Sequence, residues 1–209
     1  MIRQSLDPVA PDGTIIAAAA DVLRRGGVVA YPTDTLYGLA VDARNDAAVE
    51  RLFSLKGRAA ASAIALIAAD AGMAERVAAR GFGTLERQMV AAFWPGPLTI
   101  VVPVSPSLSA ALAPRGTIGV RVPAHPVARA LPAALGDCIT ATSANLSGQP
   151  PAVTADEVAA ALGDRIDLLL DAGAAPGGAP SSVVEVVAGH PVLHRAGAIA
   201  WDRVLESFE

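Results

Sequence analysis

Cysteine is nearly absent from this 209-residue chain. Cys138 stands alone, which excludes an internal disulfide framework and fits a reducing cytoplasm as the expected location. Long apolar runs are missing too. The richest, Ala59 to Ala69, is bracketed by Arg58 and Asp70 and reaches about half of the roughly 20 residues that cross a bilayer. Arg3 has no apolar stretch behind it, and Asp7 and Asp12 interrupt early, so neither a targeting segment nor membrane contact is expected.

Positive charge is in deficit: 16 Lys and Arg against 20 Asp and Glu leave a net charge of −4. The surface as a whole does not attract nucleic acid, and any anion site must be a local basic pocket. Several catalytic signatures are also lacking. There is no Gly-x4-Gly-Lys-Ser/Thr loop and no Gly-x-Gly-x-x-Gly after a strand, and Gly-x-Ser-x-Gly is absent, which argues against an α/β-hydrolase. His125, His190 and His194 have no metal-ligand spacing, so no metal site made by the protein is expected.

Apolar residues are plentiful, at 53%. Much of that is alanine, which lowers periodicity contrast without functional meaning. The length suits one domain, 1–209, with a large core. Helical patterns fall at Thr14 to Arg25, stopped by Gly26-Gly27, and at Asp46 to Lys56, with Val49, Leu52 and Phe53 on one face. Two more fill Ala71 to Phe93, and His125 to Leu135 reads as another. Thr154 and Glu157 form a capping box for a helix ending at Gly163. Strands are expected at Val28 to Tyr31, Ala63 to Ala68, Leu98 to Val104, Ile118 to Val122, Cys138 to Thr142, Ile166 to Leu170, Val183 to Val187 and Val192 to Arg195. Trp201 to Phe208 reads as a short docking helix. The interleaving predicts an α/β (α+β) class with a twisted mixed sheet.

Polar clusters sit at the strand ends. Pro32-Thr33-Asp34-Thr35-Leu36-Tyr37-Gly38 sets two hydroxyls and a carboxylate at a turn, as a ligand site or as a self-bonded turn. Lys56-Gly57-Arg58 could grip phosphates, or complement its helix dipole. Phe93 to Thr99 reads as a rigid turn with a core tryptophan. Arg121, inside an apolar strand, needs an anionic partner, because an unpaired buried charge costs several kcal/mol. That partner is a protein carboxylate or a ligand's. Thr142 to Gly148, Pro180 to Val184 and His194 to Gly197 complete the set.

In order and spacing these blocks resemble the YrdC/Sua5 family, the threonylcarbamoyl-AMP synthases. The matching stretches are YPTDTLYGL at 31–39, KGR at 56–58, FWPGPLT at 93–99, GVRVPAHP at 119–126, TSANLSG at 142–148, PSSVV at 180–184 and HRAGAI at 194–199. The length resembles the family's single-domain form. The resemblance implies a concave, basic cleft and a reaction joining L-threonine and bicarbonate to ATP, with Mg2+, for a tRNA adenosine modification. It implies that Lys56, Arg58 and Arg195 hold phosphates, with Lys56 and Arg58 as the catalytic charges. Ser62, Thr117 and Asn145 would lie on the nucleotide side. Thr35, Arg121, Ser143 and Ser181 would surround the threonine.

Implied partners are a downstream tRNA threonylcarbamoyl transferase and a weak contact with tRNA. The chain departs from the family pattern after KGR, where Ser62 replaces an Asn and Ile67 a His. Two rivals stand beside this reading, an RNA-binding module of the same fold and a related enzyme forming another carbamoyl-adenylate. The negative net charge and the lack of an exposed aromatic-plus-basic stripe oppose the first. The absence of zinc-finger Cys pairs and of an acylphosphatase region opposes the second.

Overall fold

The computed structural model describes residues 1–57 and 64–208. Among them, the first half supplies strands β1 (Ile2–Ser5), β2 (Val29–Pro32), β3 (Tyr37–Ala40), β4 (Ala65–Ile67) and β5 (Leu98–Pro103). The second half supplies β6 (Thr117–Arg121), β7 (Ile139–Ser143), β8 (Leu168–Asp171), β9 (Ser182–Val187) and β10 (His190–Arg195). They form one mixed sheet in the order β1-β8-β2-β3-β7-β4-β6-β5-β9-β10, as the interleaved pattern led one to expect.

Two strands escape the sequence pattern. β1 is a fully exposed edge strand pairing in parallel with β8, and without a buried side it carries no alternation to read. β3 lies directly behind the turn at Thr33–Leu36 and pairs antiparallel with β2. The polar cluster there is therefore the tip of a hairpin. β10 also starts earlier than expected, at His190.

Strand alternation divides the buried residues between two layers. Val28, Ala30, Leu66, Leu98, Ile100, Val120 and Val184 share one cluster. It also takes in Val49 and Leu52 of α2 (Asp46–Lys56), Met73 of α3 (Ala71–Glu75), Met89 of α4 (Thr84–Phe93), Val158 of α6 (Ala155–Leu162) and Val204 of α7 (Trp201–Glu206). Val29, Tyr31, Ile67, Ile139, Leu168 and Leu170 point to the other face. There they meet Ile16, Ala19 and Leu23 of α1 (Gly13–Arg24) and Val127, Ala128 and Leu131 of α5 (Pro126–Leu135).

Local chemistry explains where these two helices start and stop. Asp12 caps α1, accepting from the N–H groups of Thr14 (2.7 Å) and Ile15 (3.3 Å). Pro126 opens α5, and Gly136 closes it at φ 88°, a conformation that favours glycine. Each helix buries one face, so together they cover only part of a wide sheet. The remainder of that face is the candidate site.

Candidate active site

Beyond α1 and α5 the second face is floored by small residues: Gly38, Ala65, Gly119 and Ala141. With no bulk to fill the space, a cavity of about 470 Å³ opens there, within the roughly 300–1,000 Å³ typical of ligand sites. The turn at 33–36 forms one wall, Pro180 and Ser181 another, and Thr99, Arg121, Ser143 and Arg195 place polar groups around it. An ideal Cβ on Gly119 would stand 2.8 Å from the Thr99 methyl, so glycine keeps this part of the floor low.

Arg121 is buried and anchored by two distant segments. Its Nε donates to the Gly96 carbonyl at 3.0 Å, and its Nη2 forms an ion pair with Asp34 Oδ1. The anionic partner required by the sequence is thus a protein carboxylate. Burial pulls the guanidinium below its ordinary pKa, Asp34 and Tyr31 oppose that, and Arg195 adds to the lowering. Arg195 is half-buried and donates to the Ser181 carbonyl from Nη2 (2.7 Å) and Nε (3.2 Å). Burial lowers its pKa as well, and it makes no ion pair among the described residues. Two guanidinium groups therefore face one cavity, and only one is balanced by a carboxylate.

The hydroxyls are linked to this frame. Ser181 Oγ accepts from Arg195 Nη2 at 3.1 Å and lies 2.8 Å from Thr99 Oγ1. Thr35 Oγ1 lies 3.1 Å from Thr33 Oγ1, which accepts the N–H groups of Thr35 and Leu36. Both threonines line the cavity. Ser143 lines it too, donating to Asn145 Oδ1 at 2.5 Å.

The other nominated residues lie elsewhere. The Lys56 ammonium is buried behind the wall, donating to the carbonyls of Ser143 (2.5 Å) and Asn145 (2.6 Å) and to Asn145 Oδ1 (2.9 Å). These bonds brace the loop after β7. Asn145 joins the same brace, its Nδ2 donating to the carbonyls of Leu146 (3.0 Å) and Gln149 (2.6 Å). Thr117 shares the face of Gly119 and Arg121 by alternation but stands outside the cavity wall. Arg58 and Ser62 lie outside the described residues. Ile67 is buried in the floor, in register with Arg121 on the neighbouring strand.

Sequence reasoning passed over Asp34 and Thr99 as site residues. Asp34 was visible as a carboxylate between two hydroxyls, but its partner lies 87 residues away. Thr99 closes a block read as a rigid turn. That turn is present, with Trp94 Nε1 donating to the Leu98 carbonyl at 2.7 Å and the indole edge-to-face on Phe82. It also delivers Gly96 to Arg121. Cys138 is buried, its thiol pushed up to about 12 by burial, which keeps it in the unreactive form. Among the described residues no cluster of His, Cys, Asp or Glu could hold a metal, and no helix is long and apolar enough to cross a membrane.

The Sua5/YciO/YrdC family, described as telomere recombination, matches residues 21–197. The chain belongs to this family. It is 41% identical over 168 residues to a threonylcarbamoyl-AMP synthase of Idiomarina loihiensis, a match covering 79% of this chain and 90% of the relative. It is 36% identical to the Bacillus subtilis threonylcarbamoyl-AMP synthase across 95% of this chain and 58% of that one. A P. abyssi Sua5 solved in complex with L-threonine superposes with a TM-score of 0.93 at 32% identity, over 99% of this chain and 61% of that one. The chain thus spans little more than half the length of the last two.

Proposed function

We propose that the chain is a threonylcarbamoyl-AMP synthase, an enzyme of the nucleotidyltransferase type. The observation that carries this reading is the pair of guanidinium groups, Arg121 and Arg195, facing one hydroxyl-lined cavity. That arrangement suits a substrate carboxylate beside a polyphosphate. The relatives named for the same activity support it.

In the reaction, the threonine amine and bicarbonate give a carbamate and water. A carbamate oxygen then attacks the α-phosphorus of ATP, and the bond to the β-phosphate oxygen breaks to release pyrophosphate. Such a transfer asks for alignment and charge neutralisation, without a protein nucleophile. Arg121 takes the threonine carboxylate, with Thr35, Ser143 and Ser181 around the side chain. Arg195 takes phosphate oxygens, and the family resemblance assigns Arg58 to the same phosphates. Lys56 contributes its positive field while holding Ser143 and Asn145 in place. By the family resemblance, Thr117 and Ser62 are assigned to the nucleotide. Mg2+ enters on the phosphates as part of the ATP substrate. The product passes to a downstream tRNA transferase, consistent with a cytoplasmic enzyme.

The test is pyrophosphate release from ATP. It is expected to require both L-threonine and bicarbonate, and the product mass should be that of threonylcarbamoyl-AMP. Threonine should exceed valine by about a hundredfold or more in kcat/KM, because a site that hydrogen-bonds a hydroxyl rejects analogues lacking it. Equal rates with valine would remove the threonine assignment. Release supported by carbamoyl phosphate and not by threonine would place the chain with the other carbamoyl-adenylate enzymes.

A further inference from the structure

Asp34 makes a contact that stability does not account for. Its Oδ1 pairs with Arg121 Nη2, both side chains being largely buried at 14% and 8% exposure. Its Oδ2 is buried with no hydrogen-bond partner. An unsatisfied buried oxygen is costly, and a buried ion pair is often no more stabilising than apolar residues of the same size. What the contact does achieve is geometric. Asp34 holds Nη2 from the β2–β3 turn, and the Gly96 carbonyl holds Nε from the turn before β5. Those two bonds, from segments far apart in the chain, fix its plane. Nη1 has no hydrogen-bond partner among the described residues, and Arg121 lines the cavity.

We propose that Asp34 is a positioning residue for the amino-acid substrate, acting through Arg121. It holds the guanidinium in one orientation before the substrate arrives, with the edge carrying Nη1 available to a carboxylate. Bidentate and charge-assisted contacts depend on that planar alignment. Asp34 also compensates the charge of Arg121 and leaves Arg195 without a carboxylate among the described residues. The compensated cation then suits a singly charged carboxylate, and the uncompensated one a polyphosphate. Thr33 and Thr35, on either side of Asp34, line the same cavity, so one turn supplies both the hydroxyls and the aim of the arginine.

The inference rests on the threonylcarbamoyl-AMP reading, and the experiment separates the two. Initial rates of pyrophosphate release are measured for the wild-type chain, Asp34→Ala, Asp34→Asn, Arg121→Lys and the double variant Asp34→Ala/Arg121→Lys. If the wild type shows no threonine-dependent release, the functional reading itself fails. With an active wild type, Asp34→Ala is expected to raise the threonine KM about tenfold, the scale of one charge-assisted contact. The ATP KM should stay within twofold. Adding Asp34→Ala to Arg121→Lys should cost little more than Arg121→Lys alone, because the two act as one unit. Asp34→Asn keeps the size and removes the charge, and serves if the alanine variant does not fold. An unchanged threonine KM, equal shifts in the threonine and ATP constants, or additive losses in the double variant would overturn the proposal.

Discussion

Lys56 shows how one residue can be found by sequence and still carry a different load. The sequence marks it as a cation at a helix end, there to grip phosphates or to complement the helix dipole. In the structure its ammonium is enclosed and gives three hydrogen bonds to Ser143 and Asn145. Those acceptors would be stranded by a truncation, and hydrogen bonds to charged groups are worth more than neutral ones. Lys56→Met should lower the free energy of unfolding by about 3 kcal/mol, read as a lower urea midpoint, and weaken ATP turnover as the loop relaxes. An unchanged midpoint would show that the ammonium is no brace. Arg121 is the complementary case. Its need for an anion was legible from an arginine in an apolar strand, but not that Asp34 meets it.

Helix caps carry the clearest local signals, and they make the elements around the cleft sensitive to acid. The capping box of α6 is formed as the sequence spells it, Thr154 Oγ1 accepting from the Glu157 N–H and Glu157 Oε2 accepting from the Thr154 N–H. The cap of α5 is His125, whose Nδ1 accepts the Val127 N–H at 3.2 Å. That bond exists only while Nδ1 is unprotonated. Burial pulls the His125 pKa below its ordinary value, against an upward pull from Asp34. A depressed folded pKa gives stability that is complete above the unfolded value, about 6.5, and is lost as pH falls through the folded value. The urea midpoint is therefore expected to hold above pH of about 7 and to fall on acidification below about 6.5. His125→Asn, which keeps a capping acceptor that does not titrate, should remove that phase before the carboxylates begin to protonate. A wild-type profile identical to that of the variant would dismiss the role of this cap.

For the whole molecule, the cleft exists because two helices cover part of one wide sheet face and small residues floor the rest. Gly119 is central to that floor. Gly119→Ala should cut threonine-dependent pyrophosphate release by about tenfold or more, the cost of displacing an aligned wall. Thr99→Ser in the same chain should restore most of it, since the obstructing atom is the Thr99 methyl while the hydroxyl facing Ser181 is kept. No rescue would mean that the floor acts in another way. The sequence by itself determined most of the strands and helices, because alternation, glycine stops and caps are set by neighbours a few residues apart. It also marked the polar clusters, since hydroxyls, arginines and glycines gather at strand ends. It missed β1, which has no buried side, and β3, hidden behind a polar turn. Only the tertiary structure decided which clusters meet: Asp34 with Arg121, Lys56 with Ser143 and Asn145, Thr99 with Ser181. Those partners lie 82 to 89 residues apart. Each contact depends on a strand order with long crossovers, which no local periodicity encodes.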